Sequence, residues 1–246
     1  LAVLFTKGGK IWINALLKEI GPCAIISDIT FLPKSCRLIV IPYDAAPDDR
    51  DMGLIDSFVN RGGSVIFECP TESSHHLTGV RGDGGSFSIE SIPIKPTPLE
   101  LSDEITVQSY LITNAEVVWR STDGHPLLCK MKRGNSSVWS LLFPYAKWAE
   151  KTLGLSRPAK KSILRNLHTH DFQSNPQMKR KFQPLLDMFD AALFSAVRDA
   201  SLIPSLWYHR DGSLASFLLT VDEDFFGEKI GRLGTIPVKN TWFLTA

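Results

Sequence analysis

The sequence predicts an α/β protein built on an open, mostly parallel sheet, and three observations predict it. Apolar, β-branched runs alternate with amphipathic helical stretches through residues 1–69, the pattern of strand–helix–strand units. Some of these runs, Leu38-Ile39-Val40-Ile41 above all, are apolar without interruption, as strands covered on both faces require. A later apolar run, 216–221, restarts a buried strand and ends in Asp222, Glu223 and Asp224.

Leu1 to Phe5 reads as the first strand, closed by the turn residues Lys7-Gly8-Gly9-Lys10. Ile11, Ala15, Leu16 and Ile20 recur at helical spacing, and Gly21-Pro22 ends that helix. Cys23 to Ser27 and Arg37 to Pro42 are the second and third strands. Asp48 to Asn60 reads as a helix, with acids early, Leu54, Ile55, Phe58 and Val59 on one face, and Gly62-Gly63 at its end. Ser64 to Cys69 is the fourth strand. Short connections in this order indicate a sheet of the Rossmann or flavodoxin type.

Glycines 79, 82, 84 and 85 and prolines 93, 96 and 98 then punctuate short β-like pieces across 71–115. Strands are expected at 115–120, 126–131 and 138–143. Seven basic residues stand against the single acid Asp171 between Arg157 and Lys181. That stretch is expected to connect two domains, with helices near 158–168 and 177–199. The expected division is therefore 1–155, an α/β domain; 156–213, a helical connector; and 214–246, the start of a second domain. The strand at the chain's end, Thr241 to Leu244, asks for a partner, so the sequence reads as a piece of a longer protein.

The bulk numbers narrow the function. Net charge is +1, so no global basic surface points to nucleic acid. No apolar run approaches the roughly 20 residues that span a bilayer. Cys23, Cys36, Cys69 and Cys129 are widely spaced and lack a CxxC pattern, which predicts buried thiols rather than a metal cluster or disulfide framework. His75-His76, His168 and His170, and Arg81-Gly82-Asp83 are read as turn, linker or surface residues.

Leu38 to Pro42, the helix entering Arg61-Gly62-Gly63, and Gly124-His125-Pro126-Leu127-Leu128 followed by a strand together resemble the class I glutamine amidotransferase-like fold. The ending resembles its non-catalytic relatives, including β-galactosidase trimerisation-type domains. Active members of that fold carry their nucleophile where Cys69 stands. Here the turn reads Phe67-Glu68-Cys69-Pro70-Thr71, without the small flanking glycines such a turn needs. Pro70 also lacks the N–H that would help an oxyanion hole. The family's late His-x-Glu is replaced by Leu142-Phe143-Pro144-Tyr145. The resemblance therefore implies a domain without catalysis and Cys69 as a small residue at a strand end.

Leu218 to Phe226 (LLTVDEDFF) carries the most chemistry. Three carboxylates closing an apolar strand are costly unless they bind a cation or reach solvent. At the carboxyl end of a barrel strand they would converge where barrel enzymes act. This stretch, with 234–246 (GTIPVKNTWFLTA) after it, resembles the opening of the polysaccharide deacetylase (NodB-homology) family. The resemblance implies the first strands of an incomplete (β/α) barrel and Asp222 as catalytic base. It further implies Asp224 or Glu223 as ligand to a divalent metal ion, zinc or similar, and an acetylated carbohydrate as substrate. The family's His-x-x-x-His ligands would lie beyond Ala246. The alternatives are a solvent-facing acidic loop and, for the whole, a non-enzymatic carbohydrate-binding or assembly module.

Overall fold

The protein's structure is a computed structural model that describes residues 1–4, 6–92, 99–152, 176–201, 219–223 and 240–244. Two compact units divide at Ser205/Leu206.

Unit 1 is organised by a seven-stranded sheet. Its strands are β1 (Ala2–Leu4), β2 (Ala24–Ile26), β3 (Leu38–Ile41), β4 (Ser64–Glu68), β7 (Glu116–Arg120), β8 (Pro126–Arg133) and β9 (Ser136–Leu141). Their order is β2-β1-β3-β4-β9-β8-β7. The pairs from β2 through β9 are parallel, and β8 and β7 complete the sheet antiparallel. The α/β, mostly parallel architecture read from the sequence is the observed one. β5 (Val80–Ile92) and β6 (Leu99–Ile112) form a separate antiparallel pair.

Strand periodicity explains the two cores. Val3, Leu38, Val40, Ile66, Trp139 and Leu141 face one apolar layer, and Ala2, Leu4, Ile39, Ile41, Val65, Phe67 and Val138 face the other. Successive strand residues point to opposite faces, so a run buried on both sides must be apolar throughout. The second layer is closed by α2 (Asp49–Asn60) through Met52, Ile55, Phe58 and Val59. Asp48 caps that helix by accepting from Asp51 N at 2.8 Å.

The first layer is closed by α1 (Lys7–Glu19), α4 (Tyr145–Thr152) and α5 (Pro176–Ser201). Leu186, Phe189, Leu193, Phe194 and Val197 of α5 are fully enclosed. Asp190, 2% exposed, accepts from Tyr145 Oη at 2.5 Å and pairs with Lys18 Nζ at 3.3 Å. The compact unit runs to Ser205. The apolar face of α5 belongs to the core; residues 158–168 lie outside the described residues.

Two further differences have local causes. The glycine-punctuated stretch is one long hairpin, because a register shift between Gly82 and Ser86 absorbs the glycines as a bulge. Between β4 and β5 lies the short helix α3 (His75–Thr78), ended by Gly79 at φ +65°. All four cysteines are free. No helix among the described residues is long and apolar enough to cross a membrane.

In unit 2, β10 (Leu219–Glu223) and β11 (Asn240–Leu244) pair in parallel, Asp222 opposite Phe243 and Glu223 opposite Leu244.

Candidate functional site

Open parallel sheets bind ligands at the carboxyl ends of their strands, beside the point where strand order reverses. In unit 1 that point lies between β1 and β3. The chain's own side chains fill it. α1 begins with Gly8 and Gly9, whose N–H groups would suit an anion. Asp44, just after β3, takes that place: it accepts from Gly8 N at 3.0 Å and from Thr6 Oγ1 at 2.7 Å. A Cβ on Gly8 would stand 2.8 Å from Asp44 Oδ1, and one on Gly9 would stand 2.3 Å from Leu4 O. The close approach needs both glycines.

One strand over, Glu68 ends β4 with 2% exposure. Its Oε2 accepts from Trp12 Nε1 at 2.5 Å and Tyr43 N at 3.1 Å, and its Oε1 from Ala146 N at 2.7 Å. Burial lifts this carboxyl to about 7, while the three donors pull it back. The sequence reading passed over Asp44 and Glu68. A lone acid closing the apolar run Val65-Ile66-Phe67 was the available signal for Glu68.

Cys69 follows with φ +52°, a left-handed conformation that is unique for a non-glycine among the described residues. Its N–H donates to Leu141 O at 2.8 Å. The chain thus turns through a left-handed residue directly after β4, even without flanking glycines. Burial and then the Glu68 charge push the thiol well above its ordinary range, against a smaller opposing pull from Lys147. Among the described residues, no imidazole is among the charged groups that act on it.

The strained turn carries a test. Cys69→Gly should leave stability unchanged or raise it by up to about 1 kcal/mol, since glycine adopts this φ freely. Cys69→Val should lower stability by roughly 2 kcal/mol, because a β-branched side chain fits left-handed φ poorly. Urea unfolding of the three proteins would reveal the order; valine matching glycine would contradict strain at this turn.

The remaining sequence-nominated groups stay apart. His75 Nε2 meets Thr113 Oγ1 at 3.1 Å, and His76 Nδ1 meets Ser73 O at 3.1 Å. Asp83 accepts from Gly85 N and Ser109 Oγ, bracing the β5 bulge. His168, His170 and Asp224 lie outside the described residues. Asp222 and Glu223 are the last two residues of β10, at the carboxyl end of a parallel pair.

No family model and no curated protein matches this chain. Solved structures do. A β-galactosidase from Bacillus circulans sp. alkalophilus aligns with a TM-score of 0.54 and 10% identity, over 86% of this chain and 32% of that one. An exo-β-1,4-mannosidase from Opitutaceae bacterium strain TAV5 aligns with a TM-score of 0.51 and 10% identity, over 80% and 35%. The chain thus spans about a third of those proteins' length, and at such identity the likeness shows the fold alone. The carbohydrate deacetylase Agd3 matches with a TM-score of 0.40 and 10% identity over 58% of this chain and 29% of that one, too loose a likeness to bear an argument.

Proposed function

We propose that this chain is part of a metal-dependent deacetylase of acetylated glycans, with unit 1 as its non-catalytic, amidotransferase-like domain. The observation that carries this reading is Asp222 and Glu223 at the carboxyl end of β10, with Asp224 next in the sequence and β11 parallel beside β10. Barrel enzymes gather their reacting groups at that end of their strands. Carboxylates are hard oxygen donors that suit a divalent cation. Glu223 and Asp224 would hold the ion, and Asp222 would take a proton from water attacking an acetyl carbonyl. A divalent ion bound there lowers the pKa of water and polarises the carbonyl. That solved structures sharing the fold act on β-galactosides and β-mannosides is in keeping with a carbohydrate substrate.

In the full-length protein, Asp222→Asn should reduce acetate release from N- or O-acetylated oligosaccharides at least about 100-fold, the usual scale for a lost general base. Chelation should abolish the activity and added divalent metal restore it. Unchanged release by Asp222→Asn would refute the assignment.

The second reading is a non-enzymatic carbohydrate-binding or assembly module. The carboxyl edge of unit 1 favours it, since Asp44 accepts from the N–H at the start of α1 where this fold receives ligands. Glycan binding without acetate release, indifferent to Asp222→Asn, would decide for it.

A further inference from the structure

The opposite, amino-terminal edge of the sheet in unit 1 carries two adjoining cavities that share Arg61. One, of about 490 Å³, is lined by the loop before β3 and the end of α2, and presents Lys34, Arg37 and Arg61. The other, of about 360 Å³, lies between the end of α2 and the β8–β9 turn, and presents Arg61 and Arg133 with Asn60, Asn135 and Ser136. Neither lining contains a carboxylate. No ion pair joins any of the four cations among the described residues. Arg133 donates to His76 O, and its buried Nε has no partner among the described residues. Asp56, one turn earlier on α2, accepts from Asn60 Nδ2 at 3.1 Å and lines neither cavity.

Arg61 caps the carboxyl end of α2, where the helix dipole favours a cation. That accounts for Arg61 alone. Lys34, Arg37 and Arg133 come from two other segments, so three segments place positive charge along one edge, a field that favours an anion. The two cavities side by side suit a chain with repeated charge better than a single small anion. The linings offer the side-chain amides of Asn60 and Asn135 for sugar hydroxyls, whereas Ser136 is buried and donates to Val59 O at 2.6 Å. Phe58, the one aromatic residue there, is 5% exposed, so no platform exists for stacking bases.

We propose that this cleft binds an acidic oligosaccharide whose carboxylates meet Arg61 and its neighbouring cations. The proposal rests on the carbohydrate reading above and extends it to a second, non-catalytic site. The test is calorimetric titration of the protein with three probes: a galacturonate hexamer, neutral cellohexaose, and a thymidine oligonucleotide of matched charge. The galacturonate hexamer should bind most tightly, and more weakly as salt rises. Arg61→Gln and Arg133→Gln should each weaken it about tenfold, the scale of one lost charge-assisted contact, whereas Lys147→Gln, at the other edge, should not. Preference for the oligonucleotide, galacturonate binding indifferent to both arginine variants, or no galacturonate binding would each overturn the proposal. Acetate release, measured separately, judges the deacetylase reading whichever way the titrations fall.

Discussion

Replacing Glu68 with alanine will destabilise unit 1 by roughly 4 kcal/mol, because three buried N–H groups lose their acceptor at once. Trp12 Nε1, Tyr43 N and Ala146 N converge on this carboxylate from α1, the end of β3 and the start of α4. Removing it leaves orphaned donors and a void among enclosed side chains. Glu68→Gln keeps the volume but turns an amide NH₂ toward N–H donors, and should cost about 2 kcal/mol. Urea or thermal unfolding followed by tryptophan fluorescence measures both. A loss under 1 kcal/mol for alanine would show that the carboxylate does not hold these elements together.

The same group sets a pH dependence. Its folded pKa, about 7, lies above the ordinary carboxylate value, so between those values the folded state keeps a proton that the unfolded chain has released. Stability from this source is present at pH 5 and is lost as pH rises through 7, on the order of 2 kcal/mol. Asp190, raised by burial to about 6, acts in the same direction. Unfolding at pH 5, 6 and 7.5 should show the decline, with a flatter slope in Glu68→Gln.

Phe189→Ala is the second large effect, expected at about 4 kcal/mol. The ring is fully enclosed. It stacks on Tyr145 at 5.1 Å and meets Trp119, Phe143 and Trp148 edge-on at 5.6–5.8 Å. Such aromatic pairs add to the area they bury. Denaturant unfolding of the variant is the measurement. Were α5 merely a connector, the substitution would cost less than about 1 kcal/mol, as surface changes do.

Legibility in the sequence followed the source of each signal. β1, β3 and β4 were legible because burial on both faces forces apolar runs. α2 was legible because Asp48 and the glycines after it mark its ends locally. α4 was not: the acceptor for Ala146 N in its first turn comes from β4, far away in sequence. The core role of α5 was hidden because helical spacing shows an apolar face without showing what it packs on. At the carboxyl edge, the missing glycines around Cys69 hid the left-handed residue that the chain makes there. The acidic run was the most visible feature of all, since carboxylates closing an apolar strand stand out in composition alone.

The two ends of the seven-stranded sheet bear on how strands from another copy could pair with it. β2, at one edge, spans three residues. β7, at the other, spans five and slips register twice against β8, around Trp119. A free edge that is short or irregular gives an incoming strand few consecutive hydrogen bonds to make, which is how natural sheets avoid edge-to-edge aggregation. The apolar strands are locked in the middle, and the rims offer poor templates for further growth.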